Sequence, residues 1–498
     1  MTDRDEWEAV LADLAERRAT SRSMGGTERL ERHRGAGKLD ARARVDALLD
    51  PGSFRELGTL VGGKVASDGI VAGSGTIDGR AVMVGAEDYT TMGGTIGGGS
   101  NAKRHRIAEL ALRQRIPLVM LLEGAGYRAT DRGHGRSPVD LGMQAQCSGS
   151  VPVVTAVLGV SAGHGALIVP MSDFSVMTDA ASVFTAGPPV VKQSLGEDIS
   201  KEDLGGPSVA IASGLVHNHA ADDLAALEQI RRYLAYFPSS AWSYPLPRDP
   251  GPSTARRSLP ELLDVVPRDN RRVYDMRRVI DAVVDDPDWF EVQPTFGPAI
   301  VCALAHLGGE PVAIVANQPL VLAGSIDADS ADKAARFMTV ADSFHLPLVF
   351  LADNPGMLPG RDSELAGVLR SGARMYAAQT LATTQKVHVT MRKAYGFGSM
   401  VMALAAFDGQ IATFAYPGAT LGAMGAAAQS EALGADVDTA AELRRAEVSA
   451  SFGAAERLGF DELIDPRDTR DVVIDALERG LYARQQVPEP VRRTVITP

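Results

Sequence analysis

The chain has 498 residues, 45% hydrophobic and 22% charged, with a formal net charge of −12. That length suits two hydrophobic cores better than one, and the composition excludes disorder and fibrous repeats. The negative balance, with Lys and Arg thinly spread, excludes a general nucleic-acid surface, and two cysteines, Cys147 and Cys302, are too few for a disulfide framework or a four-thiolate zinc site and read as buried thiols.

From the start, Trp7, Val10, Leu11 and Leu14 recur at helical spacing and lead into the basic stretch Arg29 to Arg34, which predicts a charged helical arm over residues 1–34. The opening segment is acidic rather than apolar, and no apolar run approaches the roughly 18 residues a membrane span needs. A soluble, cytoplasmic enzyme without membrane insertion is expected. Two blocks follow, residues 35–237 and 269–498, divided by a stretch (238–268) carrying Pro238, Pro245, Pro247, Pro250, Pro252 and Pro260, too interrupted for a helix or a central strand and read as a linker. Within the blocks, β-branched runs at 117–122, 152–158 and 387–391 alternate with Ala-rich helical stretches at 102–114 and 331–343. Apolar strands bounded by helices imply an α/β fold with parallel strands covered by helices.

The second block repeats the first. Gly94-Thr95-Ile96, Ser100, Lys103, Glu123 and Gly126 return as Gly324-Ser325-Ile326, Ser330, Lys333, Asp353 and Gly356 at one constant offset, and Ala162-Gly163-His164-Gly165 returns as Tyr395-Gly396-Phe397-Gly398 three residues later than that offset predicts. Such a register describes two copies of one domain. Each strand ends in a glycine-rich turn: 123–126, 159–165, 353–356 and 395–398. Ligands bind at the carboxyl ends of strands in open α/β sheets, and a glycine turn running into a helix aims unpaired N–H groups at an anion or a developing oxyanion.

Better-known motifs fail on inspection. Arg34-Gly35-Ala36-Gly37-Lys38-Leu39 lacks the first glycine and the Ser/Thr of a phosphate loop, and Gly93 to Gly99 lacks the ribose-binding acid of a dinucleotide site. Gly159-Val160-Ser161-Ala162-Gly163 does match a nucleophile elbow, which leaves a serine hydrolase as the rival: Ser161 with Asp173 or Asp179 and His217 or His219. Against it, Ala394 stands where the repeat would put the serine. His217 and His219 have no nearby carboxylate or thiol in sequence to complete a metal set and read as surface histidines, and Asp327 to Asp332 reads as a helix start with favourable acids. No metal is expected.

Gly37-Lys38-Leu39-Asp40-Ala41-Arg42-Ala43-Arg44, Leu48 to Phe54, Ala186 to Lys192, Glu202 to Gly206, Ile314 to Pro319, Lys333 to Phe337 and Arg392 to Gly396 together resemble the carboxyltransferase (β) subunit of biotin-dependent acyl-CoA carboxylases over residues 37–480, of the propionyl-CoA or methylcrotonyl-CoA carboxylase type. The resemblance implies two tandem crotonase-like domains related by duplication: residues 35–237 on the acyl-CoA side and 269–498 on the carboxybiotin side, the latter serving a neighbouring subunit in a homo-oligomer, expected to be a hexamer. It implies transfer of a carboxyl group from carboxybiotin to the α or vinylogous carbon of an acyl-CoA, through an enolate on the thioester and a ureido oxyanion on biotin. Ala125, Gly126, Gly163 and His164 are similar to the thioester oxyanion hole, and Phe397 and Gly398 to the biotin one. Tyr127 shapes the acyl pocket, Met400 stands where a length-setting Asp often does, and Lys38, Arg42, Lys103, Arg104 and Arg128 are the cations available to coenzyme A. No Met-Lys-Met biotinyl motif occurs, so the biotin carboxylase and biotin carboxyl carrier are expected on a partner chain. Decarboxylation or transcarboxylation on the same scaffold is the alternative direction.

Overall fold

The computed structural model describes residues 2–130, 139–249, 251–404, 409–482, 484 and 487–491. The chain divides after Ala235 into two compact units.

The first unit is built on one sheet. Its strands are β1 (Arg55–Leu57), β2 (Ile70–Ile77), β3 (Arg80–Glu87), β4 (Leu118–Gly124), β5 (Val153–Ala162), β6 (Phe174–Thr178), β7 (Ser182–Phe184) and β8 (Asn218–Ala220). The order is β1-β2-β3-β4-β5-β6-β8, with β7 beside the far end of β5. β1, β2 and β3 pair antiparallel, and every pairing from β3 to β8 is parallel. The helix Gly98–Gln114 crosses from β3 to β4 and turns Ile107, Ala108 and Ala111 onto a core that includes Leu118, Met120 and Val153. The predicted arm forms two helices, Asp3–Arg22 and Thr27–Gly35, tied to this unit by the Ser21–Ser67 hydroxyl pair (2.6 Å) and by Gly25 N–H donating to Thr90 (3.1 Å).

The second unit repeats the plan with β9 (Phe290–Val292), β10 (Ile300–Leu307), β11 (Glu310–Asn317), β12 (Leu348–Asn354), β13 (Lys386–Tyr395), β14 (Gln410–Ala415), β15 (Thr420–Gly422) and β16 (Glu462–Leu463), in the order β9-β10-β11-β12-β13-β14-β16 with β15 beside β13. β10, β11 and β12 keep the spacing that Ile300 has to Ile70, so the duplication extends beyond the matched sequence to both antiparallel strands. Even the isolated bridges correspond: Ile96 with Tyr127, and Ile326 with Met357.

The described residues of 238–268, a stretch read from the sequence as a linker, pack within the second unit. Leu259, Leu262, Val265 and Val266 are buried in its core beside Val279, Val283 and Leu477. Arg392 pins the segment by donating Nη1 to the carbonyls of Pro267 (3.1 Å) and Asp269 (2.9 Å). The prolines interrupt secondary structure without preventing burial. Asp327 caps the helix Ala328–Ser343 by accepting from Ser330 N–H, as its position in the acidic stretch predicts. Cys147 and Cys302 are free and buried. Among the described residues no helix is long and apolar enough to cross a membrane.

Candidate active site

The carboxyl ends of β4 and β5 lie side by side, with Gly124 in register with Ser161. The turn after β4 bends through Gly126 at φ +85°, in the left-handed region where glycine is favoured. A Cβ there would stand 2.9 Å from the carbonyl oxygen of Ala162, so only glycine lets the two turns approach this closely. The turn after β5 bends at Gly163, φ +53°.

Of the four first-unit residues expected to line an oxyanion hole, two have N–H groups already bonded. Ala125 donates to Gly93 C=O and Gly163 to Phe184 C=O, both at 3.0 Å. The N–H groups of Gly126 and His164 have no acceptor among the described residues. The N–H groups left unbonded are thus those of Gly126 and His164, while Ala125 and Gly163 spend theirs on carbonyls of segments that no local pattern identifies.

The second unit carries the matching turns with one change. Gly356 N–H donates to Asn354 Oδ1 at 3.2 Å, a contact without a first-unit equivalent because glycine (Gly124) stands where Asn354 does. The helix Gly396–Val401 starts after Tyr395 with no side-chain cap, which leaves the first-turn N–H groups of Phe397 and Gly398 directed outward from the helix start. A Cβ on Gly398 would lie 2.5 Å from Asn354 Oδ1 and 2.6 Å from Gly356 Cα. Met400 is partly exposed on the same helix.

Beneath the first pair of turns lies a buried charge network. Glu123 accepts from Lys38 Nζ at 2.7 Å and pairs with Arg44 at 2.6 Å, and Arg44 also pairs with Asp223 at 2.8 Å. Glu87 accepts from the backbone N–H of Glu123 (2.9 Å) and from Arg104 (2.6 Å). Burial drives the Glu87 carboxyl above its ordinary range against the pull of Arg104. In the second unit neutral Asn317 takes the place of Glu87, its Oδ1 accepting from Asp353 N–H at 3.1 Å, and Arg392 and Lys393 face Asp353.

The cations expected at coenzyme A divide. Lys103 is buried, its Nζ donating to the carbonyls of Ile70 (2.5 Å) and Ser67 (3.3 Å), and burial pulls it down to about 8. Arg104 is likewise buried between Glu87 and Asp140, Arg42 makes two bonds to Glu56 (2.9 and 3.0 Å), and Arg128 is held by Asp68. Each of these four is tied to a carboxylate or carbonyl inside the protein, although Arg42 Nε and Arg104 Nη2 are buried without a partner. Lys38 faces a cleft of about 610 Å³ whose lining also includes Arg29, Arg32, His33, Tyr89 and Lys201, and Lys103 lines a smaller hollow of about 170 Å³. Arg29 and Arg32 read in sequence only as arm charges, and Lys201 carried no signal. Tyr127 is exposed beside Gly126. A second hollow of about 490 Å³ opens at Gly163, with apolar walls that include Leu167, Phe184, Val191 and Leu204.

The hydrolase constellation does not assemble. Ser161 Oγ is fully buried without a hydrogen-bond partner. His217, buried rather than on the surface, accepts Ser175 N–H on Nδ1 (2.9 Å), and Asp173 accepts Val153 N–H (2.8 Å). His219 pairs with Asp179 at an exposed position (2.6 Å).

The carboxyl transferase domain model matches residues 32–495, nearly the whole chain. The chain belongs to the carboxyl transferase family. Among its carboxyl transferase relatives are the methylmalonyl-CoA carboxyltransferase 12S subunit of Propionibacterium freudenreichii subsp. shermanii, 36% identical over 98% of this chain and 96% of that one, and the propionyl-CoA carboxylase beta chain of Roseobacter denitrificans, 35% identical over 96% and 98%. Of solved structures, the 12S transcarboxylase, crystallised as a hexamer with methylmalonyl-coenzyme A and methylmalonic acid bound, is similar at TM-score 0.89 and 35% identity, covering 97% of this chain and 98% of that chain. With the family comes the fold: each unit is a crotonase-like domain.

Proposed function

We propose that this chain is the acyl-CoA-binding carboxyltransferase subunit of a biotin-dependent complex, with the thioester held at the first unit and carboxybiotin, borne by a partner protein, at the second. The observation that carries the assignment is the pair of matched glycine turns at the carboxyl ends of duplicated sheets, each offering N–H groups without a backbone partner. Carboxyl transfer to the α-carbon of a thioester builds negative charge on the thioester oxygen, and backbone donors aimed at such charge contribute about 2.7 to 4 kcal/mol each. Gly126 and His164 supply those donors.

Carboxybiotin supplies the carboxyl group and, once relieved of it, a basic ureido nitrogen. The second-unit turn fits it: Phe397 and Gly398 present N–H groups in a cradle that a Cβ at position 398 would fill. The cleft lined by Arg29, Arg32, Lys38 and Lys201 supports binding of the coenzyme A phosphates, and the apolar hollow at Gly163 supports an acyl group larger than acetyl. A hexamer, as in the 12S transcarboxylase, is the proposed assembly. Direction belongs to the partner: a copurifying biotin carboxylase supports synthesis, a membrane-bound decarboxylase partner the reverse.

The test is a panel of acyl-CoA substrates, straight and branched, with the cognate biotinylated partner. Carboxylation of one class is the expected result; no transfer to or from any member removes the assignment.

A further inference from the structure

Arg128 stands two residues beyond Gly126 on the turn after β4, and its guanidinium grips two segments at once. Nε donates to Thr95 Oγ1 at 3.1 Å, Nη2 to Thr95 C=O at 2.9 Å and Asp68 C=O at 3.4 Å, and Nη1 to Asp68 Oδ1 at 2.5 Å. Asp68 Oδ2 is committed as well, accepting Ser100 N–H at 2.6 Å in the first turn of the helix Gly98–Gln114. The pair is nearly shut off from solvent, with side-chain exposures of 11% for Arg128 and 4% for Asp68. Ser67 and Asp68 lie at φ +48° and +52°, ahead of Gly69 at +78°. Non-glycine residues keep such a conformation only where surrounding contacts over-determine it, and here the Asp68 side chain is fastened to the turn that carries Gly126.

Backbone bonds complete the hold. Arg128 N–H donates to Ile96 C=O at 2.9 Å and Ile96 N–H to Gly126 C=O at 2.8 Å, a bridge that fixes the carbonyl side of Gly126 while its N–H meets no acceptor among the described residues. The second unit keeps the bridge and lacks the clamp. Ile326 N–H donates to Gly356 C=O at 3.1 Å and Leu358 N–H to Ile326 C=O at 2.8 Å, but at the repeat offset Leu358 stands for Arg128 and Pro298 for Asp68. There the turn is held from within: Asn354 Oδ1 accepts the Gly356 N–H, and Asn354 Nδ2 donates to Asn317 Oδ1 at 3.2 Å. The two copies fasten the same turn in opposite ways, one by consuming its N–H, the other by an arginine that leaves the N–H unbonded.

We propose that Arg128, locked by Asp68 and Thr95, is a positioning residue for carboxyl transfer: it holds the turn after β4 rigid without an internal acceptor, so that the Gly126 N–H stays available to the thioester oxygen. The role rests on the acyl-CoA reading above. Arg128 acts only through the turn, since its donors are directed at Thr95 and Asp68. A planar fork reaches both segments together, which the point charge of a lysine does not. A catalytic donor displaced by about 1 Å costs on the order of a hundredfold in rate, so a turn freed of these bonds loses turnover before it loses affinity.

The experiment compares the unaltered full chain with Arg128→Leu, Arg128→Lys and Thr95→Ala, using the acyl-CoA that the unaltered protein turns over fastest in the panel above. It reads kcat, KM, the thermal midpoint and, by infrared difference spectroscopy, the carbonyl stretch of that acyl-CoA labelled with ¹³C at the thioester and bound to each protein. Expected for Arg128→Leu is a fall in kcat of about tenfold to a hundredfold with KM within about twofold, and a bound carbonyl stretch shifted to higher wavenumber as its hydrogen bond weakens. Arg128→Lys should recover part of both, and Thr95→Ala should lose part of both; these two carry the test if Arg128→Leu does not fold. A raised KM with kcat unchanged would make Arg128 a coenzyme A contact, and a lowered thermal midpoint with kcat and carbonyl stretch unchanged would make it a stability residue; either overturns the proposal while the acyl-CoA reading holds. If the unaltered protein transfers no carboxyl group to or from any acyl-CoA, the parent reading falls and takes this one with it.

Discussion

Lys103 and Lys333 occupy equivalent places in the two units, and both bury an ammonium against backbone carbonyls: Lys103 on Ile70 and Ser67, Lys333 on Gln293 at 3.1 Å. Burial lowers both below the ordinary lysine value. The element that the duplication repeats is therefore a clamp of lysine on backbone carbonyls between helix and sheet rim.

Replacing either lysine by methionine strands buried carbonyls. Loss of about 1 to 3 kcal/mol is expected for Lys103→Met, read as a fall of several degrees in the thermal midpoint, with KM for acyl-CoA unchanged in the folded fraction. A tenfold rise in KM with no loss of stability would return Lys103 to the coenzyme A site.

The turns tolerate no side chain at two positions. Gly126→Val forces a β-branched residue to φ +85° with Cβ against Ala162 C=O, and Gly398→Val drives Cβ into Asn354 and Gly356. Each is expected to lower carboxyl transfer a hundredfold or more while oligomer size by light scattering stays the same. Near-normal turnover in both would refute the donor assignment.

Acid stability should depend on Asp140. Its folded-state value of about 2 lies below the ordinary carboxylate range, so its contribution is present above about pH 4 and is lost as pH falls towards 2. The linkage amounts to on the order of 2 kcal/mol. Urea midpoints measured between pH 5 and pH 2.5 should fall less steeply for Asp140→Asn, which is already weaker at neutral pH; parallel slopes would contradict the pairing.

Ser161→Ala should leave carboxyl transfer intact, because Ser161 Oγ is buried without a partner and no imidazole bonds to it. Stability should hold or rise slightly, since the change removes an unsatisfied hydroxyl. Loss of a p-nitrophenyl esterase activity on this substitution would revive the hydrolase reading.

Charge at the cleft should govern KM rather than kcat. Arg29→Ala combined with Lys201→Ala is expected to raise KM for acyl-CoA roughly threefold to tenfold and to flatten its dependence on salt, since partly exposed cations act through screened attraction. Substrate titrations at 50 mM and 300 mM salt check it.

Much of this protein was legible before folding. A constant offset between Glu123 and Asp353, strands running into glycines, and alternating helix and strand periods are local or one-dimensional signals, and they specify a duplicated α/β domain and where its turns fall. Even the absence of a serine at Ala394 argued against the elbow. What the turns offer a ligand was not legible: whether an N–H is free depends on a carbonyl elsewhere, Phe184 for Gly163 and Gly93 for Ala125. The same holds for the cations, since Arg42 and Arg104 read as available until Glu56, Glu87 and Asp140 are folded against them. Sequence sets which groups exist and at what spacing; a hydrogen bond or ion pair between distant segments consumes some of them, and only the packed chain decides which remain for chemistry.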